Sequence, residues 1–404
     1  MTSPYSPSVR WSCSAALSPF LTTRGAVLAV TLLAGLLLPA RPQSFWYLSS
    51  AVPRNPFAVG DSLYYLAIAA NGYGEGPVAA TRVAFFPLYP LLVATLNGLG
   101  AGRLIAALLI SHVAFFVALA LLAALARRHG GDGAGHRAPL YLAAFPFSFY
   151  FSHAYAESLF LMLTLAAFLA ADCRRWGICA TAAGLAALTR PFGVLMLLPC
   201  AVWTLAAWRG RRAAAKAAGD PEAGTASGRQ PKGPSLSGPL IAATGVIAGV
   251  GAYSAYCAAR TGNPLAWLRA HEGWNYHLGL TPWRGYSVFL EQIDRFGLYA
   301  SLTSYPYSIY GLLGAVAALA FVACQVPVAR RLGAAYVAWS LAMLVVPLGS
   351  GSWEGLGRYC AVNFPVFMAL STSESRLVNA TMAVAAAVLL GVLAALFAGG
   401  HPFT

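Results

Sequence analysis

Three carboxylates and four cations carry most of the chemical capacity of this sequence. Only 9% of its 404 residues are charged, and Asp and Glu together number 12. Asp61 stands in Gly60-Asp61-Ser62-Leu63-Tyr64-Tyr65, after the first long apolar stretch. Glu157 opens a helical pattern in Tyr155-Ala156-Glu157-Ser158-Leu159-Phe160, and Glu272 lies in His271-Glu272-Gly273-Trp274. A carboxylate beside an apolar segment can take a proton from a hydroxyl, and Asp61 is the candidate for that base. Arg190 sits between two apolar stretches in Leu188-Thr189-Arg190-Pro191, and Arg358 follows the glycine-rich run 349–357. Guanidinium groups match phosphate oxygens bidentately, and a helix start offers further N–H donors. Arg190 and Arg358 are therefore candidates for a phosphate seat, with Arg269 and His271 in reserve. Tyr64, Tyr65, Tyr89, Glu157, Glu272 and Trp274 are candidates for holding a polyol such as a sugar. Each signal has a plainer alternative: a helix-dipole acid for Glu157, an interfacial anchor for Arg190, a membrane aromatic belt for the tryptophans.

The composition sets where such chemistry takes place. Hydrophobic residues make up 59% of the chain, and several runs reach the roughly 20 residues a membrane-spanning helix needs. The runs lack the two-residue alternation of a membrane barrel. The sequence thus predicts an all-α polytopic membrane protein. The net charge of +14 reads as cytoplasmic Lys and Arg setting topology, not as a nucleic-acid surface. The seven cysteines are scattered and form no metal or disulfide pattern.

Charge then orders the helices. Arg24 before the apolar run 26–38 resembles a signal peptide, but Pro39-Ala40-Arg41-Pro42 is a poor cleavage site, so the run reads as a retained span. Placing Arg127-Arg128, Arg137, Arg174-Arg175, 209–232 and Arg330-Arg331 on the cytoplasmic side requires 85–99 to lie along the outer surface. Eleven spans follow, near 25–40, 104–126, 138–152, 157–172, 177–190, 193–208, 238–259, 307–327, 333–348, 358–372 and 377–398. The whole chain, 1–404, reads as one integral-membrane domain. It carries a first outer loop at 41–103, a disordered basic cytoplasmic loop at 209–237, and a long outer loop at 260–306. Asp61, Glu157, Arg190, Arg269, His271 and Arg358 all fall on the extracytoplasmic side of this map.

Read in order, the segments from Asp61 to Tyr73, Phe85-Phe86-Pro87-Leu88-Tyr89-Pro90-Leu91-Leu92, Tyr155-Ala156-Glu157-Ser158, Thr189-Arg190 with Gly193, residues 261–267, and Arg358-Tyr359 with Phe364-Pro365 resemble the PIG-V family of mannosyltransferases. These are polytopic enzymes of the GT-C class. This chain has Gly60-Asp61 where the family usually has Trp-Asp, and Gly262-Asn263-Pro264 where it has Gly-Asp-Pro. The resemblance implies a GT-C fold with interfacial helices in the first outer loop. It implies a polyprenyl-phosphate-mannose donor, a lipid or glycolipid acceptor, and inverting transfer on the outer face with Asp61 as base. Membrane lipids are the surroundings, and nucleic acid is not a partner. No cofactor is specified. A divalent metal shared by Asp61, Glu157 and Glu272 stays open, though their spacing defines no site. Transfer of arabinofuranose or glucose, a lipid-linked-sugar flippase and an inactive assembly subunit are the competing readings.

Overall fold

The structure, a computed structural model, describes residues 9–38, 55–74, 80–218, 235–274, 279, 281–303, 308–353 and 355–400. It is all-helical, and among the described residues there is no strand. The chain is a polytopic helical membrane protein. Among the described residues, five helices are long and apolar enough to cross a bilayer: within 11–37, 103–144, 191–216, 237–261 and 379–398. A bent pair, Ile309–Ala323 and Gln325–Leu332, would make a sixth. The eleven expected spans are thus not all met by length and composition. The expected spans 157–172, 177–190 and 333–348 correspond to helices Glu157–Asp172 (α5), Trp176–Thr189 (α6) and Ala334–Gly349 (α14), each below the length of a full crossing.

Several boundaries differ from the sequence reading for local reasons. The first helix, α1, runs from Val9 to Leu37 and starts well before residue 25. That extension places Arg24 inside the helix instead of ahead of it. Helix α2 is Ser62–Asn71 and α3 is Leu88–Gly98. At 11 residues α3 is about 16 Å long, too short to cross a bilayer. Helix α4, Arg103–Ala144, is broken at Gly131, whose φ of 76° leaves the helical region. Gly135 beyond the break packs on Ala123 and Arg127 before it, so the chain doubles back there. The expected span 138–152 ends early, at Ala144, because Pro146 cannot continue the helix, and a 3-10 turn covers Ser148–Ser152. The expected span 358–372 is two short helices, Leu356–Ala361 (α15) and Phe364–Leu370 (α16), split at Asn363 ahead of Pro365.

Part of the loop expected at 209–237 is helical. Helix α7, Leu197–Ala218, carries its basic residues through 209–218, where Ala-rich sequence keeps the helix going. Residues 219–234 lie outside the described residues. Helix α8 then begins at Ser237 and ends at Thr261. Helices α6 and α8 approach to backbone contact. Gly184 faces the Gly245 carbonyl, Gly245 faces Ala180, and Gly249 faces the Gly184 carbonyl. Two small-xxx-small stripes meet here, the arrangement that lets membrane helices gain van der Waals contact without side chains between them. This contact seats α6, and therefore Arg190 at its C-terminal end.

The described part of the segment 260–306, expected as a long outer loop, holds short pieces: α9 (Ala266–Arg269), a 3-10 turn (Ala270–Trp274), α10 (Arg284–Phe296) and α11 (Leu298–Thr303). The bent pair supplies α12 and α13, and Arg376–Ala398 is α17.

Candidate active site

Residues far apart in sequence meet where α2, α5, α6 and α15 come together. Asp61 is the N-cap of α2. Its carboxylate Oδ2 accepts a hydrogen bond from Arg358 Nη1, in α15. Glu157, in the first turn of α5, accepts through Oε1 from Arg190 Nη1 at the C-terminal cap of α6. The same Glu157 Oε1 lies 3.4 Å from Arg358 Nε, so Glu157 bridges the two guanidinium groups. Two acids and two arginines therefore form one cluster, balanced in charge. Burial makes that balance necessary, because an unpaired buried charge costs several kcal/mol. The Glu157 side chain is 0% exposed, against 25% for Asp61, so Asp61 is the member that opens outward. Among the described residues, Glu157 Oε2 makes no hydrogen bond.

Aromatic rings wall the cluster. The Arg358 guanidinium carbon lies 5.8 to 5.9 Å from the ring centres of Tyr150, Tyr155 and Tyr359. Arg190 lies 5.8 Å from Tyr359 and 6.0 Å from Phe160. These cation–π contacts help hold desolvated guanidinium groups in place. Tyr155 is buried, and burial raises its pKa well above the usual tyrosine value, so it remains a hydroxyl. That hydroxyl donates to the Val59 carbonyl (2.9 Å) and accepts from the Asp61 amide (3.1 Å).

The other candidate residues fall at varying removes. Tyr65 is buried and within electrostatic reach of Asp61, Arg190 and Arg358. Tyr64 stacks on Phe85 with ring centres 4.4 Å apart. Tyr89, expected to hold a sugar, is fully buried instead. Its hydroxyl is engaged with the Ala107 carbonyl and Ser111 Oγ, each at 3.0 Å, and its ring supports Tyr65 edge-on.

His271 bonds through Nδ1 to the Trp267 carbonyl (2.8 Å) and feels the charges of the cluster. Burial lowers its pKa, so it stands as a neutral imidazole and not as the cation expected from sequence. Arg269 and Glu272 are exposed and make no ion pair among the described residues. The Trp274 side chain lies outside the described residues, as does Glu354 in the glycine-rich run. Among the described residues no three His, Cys, Asp or Glu gather to hold a metal. Asp61 and Glu157 are each turned to an arginine instead.

Sequence reasoning did not single out two important features. Tyr155 was visible only as part of a motif, since nothing in spacing says where a hydroxyl will bond. The sequence reading places Arg24 ahead of the apolar run 26–38. It lies at the middle of α1, 2% exposed, and donates to the Ala143 and Ser148 carbonyls and the Ser148 and Ser152 hydroxyls at 2.7 to 3.0 Å. An arginine inside a long apolar run is itself the signal that could have found it.

No family model and no curated protein sequence matches the chain. Two solved structures align with the chain at low identity. One is the crystal structure of ArnT from Cupriavidus metallidurans bound to undecaprenyl phosphate: 16% identity, 87% of this chain and 59% of that one, TM-score 0.45. The other is the crystal structure of the Archaeoglobus fulgidus oligosaccharyltransferase in complex with Zn and sulfate: 14% identity, 94% of this chain and 53% of that one, TM-score 0.42. The chain therefore spans little more than half the length of either.

Proposed function

We propose that this protein is a GT-C membrane glycosyltransferase, moving mannose from polyprenyl-phosphate-mannose to a hydroxyl of a lipid or glycolipid on the extracytoplasmic face. The observation that carries the reading is the Asp61–Arg358–Glu157–Arg190 cluster. Four residues that belong to separate motifs of the PIG-V resemblance converge within bonding distance. Apart from Asp61 the cluster carries a net charge of +1: two guanidiniums against Glu157. That complements a single phosphodiester charge.

The donor phosphate takes Arg358 Nη1 from Asp61, which frees the carboxylate. The acceptor hydroxyl then loses its proton to Asp61 while its oxygen bonds to the anomeric carbon. The bond from that carbon to the phosphate oxygen breaks on the opposite face, which inverts the centre. The electron pair leaves on the phosphate, where Arg358 and Arg190 stabilise it without any need for an acid. In this reading Glu157 Oε2, which makes no hydrogen bond among the described residues, accepts from a sugar hydroxyl. An apolar crevice of about 260 Å³ between α1, α4 and α17, lined by Ala26, Val27, Val30, Leu140, Ala387 and Leu390, offers one course for a prenyl chain.

A flippase would use ionisable residues at mid-membrane depth. Arg24 is an ionisable residue inside a long apolar helix, but its donors are engaged by carbonyls and hydroxyls within the bundle, which favours a structural role for it. The deciding test is transfer in vesicles from radiolabelled polyprenyl-phosphate-mannose to extracted lipids. Label on a lipid with wild type and not with Asp61→Asn supports the reaction class and Asp61 as base. Equal label with both removes Asp61 from that role, and no label with this donor, but label with another polyprenyl-phosphate sugar, changes the sugar.

A further inference from the structure

We infer that Tyr155 is a positioning residue that sets the base against its arginine. The inference rests on the glycosyltransfer reading above. The loop before α2 is pinned to the turn carrying Tyr155 at three points. The Ala154 amide donates to the Phe57 carbonyl (3.4 Å), the Tyr155 hydroxyl donates to the Val59 carbonyl (2.9 Å), and the Asp61 amide donates to that same hydroxyl (3.1 Å). One hydroxyl therefore bridges the backbone on both sides of Gly60. Gly60 itself has φ +62°, a left-handed turn that a side chain would strain. The turn brings the Val59 carbonyl and the Asp61 amide to the same hydroxyl.

The ring of Tyr155 acts on the other partner. Its centre lies 5.9 Å from the Arg358 guanidinium carbon, and Tyr150 and Phe397 pack its remaining sides at 5.2 and 6.0 Å. A single fully buried side chain thus fixes the backbone of Asp61 and the head group of Arg358. Two things are set together: where the carboxylate sits at the start of α2, and where the cation sits when a phosphate takes it over. Catalytic geometry tolerates little error, and a displacement near 1 Å can cost about a hundredfold in rate.

Tyr155→Phe keeps the ring and removes only the two hydroxyl bonds. In purified, lipid-reconstituted protein supplied with polyprenyl-phosphate-mannose, it should lower kcat about 10- to 100-fold with donor KM within about twofold. Gly60→Ala, which disturbs the same turn from the other side, should lower kcat in the same way. Tyr253→Phe is the control. It removes another buried tyrosine hydroxyl, bonded to the Val83 carbonyl at 2.8 Å, and should leave kcat unchanged. Wild-type kcat in Tyr155→Phe overturns the inference, as does a fall in folded protein with kcat per folded molecule intact. Absence of transfer by wild type from every polyprenyl-phosphate sugar overturns the functional reading instead.

Discussion

Asp61 and Arg358 are separated by 297 positions and share a carboxylate–guanidinium hydrogen bond at the outward-opening side of a buried four-residue cluster. The bond engages the candidate base with a cation that the proposed donor phosphate would also take. It also makes the two residues separable by experiment. Asp61→Asn keeps the shape and a hydrogen-bond acceptor for Arg358, which still faces Glu157 at 3.4 Å, and the charge it removes is the cluster's most exposed acid, so membrane abundance should stay near wild type. Transfer should fall by about a thousandfold or more, since the proton acceptor is gone. Arg358→Lys keeps one positive charge but loses the fork, and should raise donor KM more than it lowers abundance. Steady-state transfer kinetics on the two variants, with immunoblots of the membrane fraction, check both outcomes.

Glu157 and Arg190 should behave differently, because Glu157 is fully buried. Arg190→Ala leaves a buried carboxylate with only the more distant Arg358 Nε. Breaking such a pair from one side costs about 3–5 kcal/mol. The variant is expected to accumulate poorly or melt early. The double change Arg190→Met with Glu157→Gln removes the stranded charge and should recover much of the fold without recovering transfer. Thermal melts of detergent-solubilised protein, set beside activity, separate the two effects. Equal melting of single and double variants would contradict the coupling.

Arg24 binds α1 to the end of α4 and the turn at Ser148–Ser152 through four hydrogen bonds of 2.7 to 3.0 Å. Arg24→Met should fit the space and still destabilise by roughly 2–4 kcal/mol, since buried acceptors lose their charged donor. The turn it steadies leads directly to Tyr155 and Glu157, so activity should fall along with the melting temperature. A melt unchanged from wild type would show that the carbonyls find other donors.

The pH response should fall on His153, which packs among Phe57, Phe149 and Phe397 and bonds through Nδ1 to the Phe149 carbonyl. Burial lowers its pKa to about 4, with His112 and Arg24 adding repulsion. A histidine whose folded pKa is depressed leaves the unfolded chain binding more protons below about pH 6.5. Stability is then full above that pH and is lost as pH falls toward 4, by up to about 3 kcal/mol. His153→Gln should flatten the drop in melting temperature between pH 7 and pH 5. A variant with the full wild-type drop would assign the effect elsewhere.

Much of this protein was legible from composition and pattern. Long apolar runs fix a helical membrane architecture because unpaired backbone groups are not tolerated in hydrocarbon. The starts of α5, α8 and α17 agree with the sequence reading to within a residue, since each apolar run begins sharply there. Asp61, Glu157, Arg190 and Arg358 could be picked out because a charge is conspicuous in a chain with so few. Sequence could not say which acid would meet which arginine. That pairing depends on the backbone contact of α6 with α8, on the reversal at Gly131 and on the break at Asn363, all of them packing outcomes. Nor could it separate Tyr89, engaged with α4, from Tyr65, close to the cluster, as both sit in similar aromatic runs. Residue type determined which groups could do chemistry here. Only the tertiary structure decided which of them share a site, because burial in one place forces opposite charges to find each other.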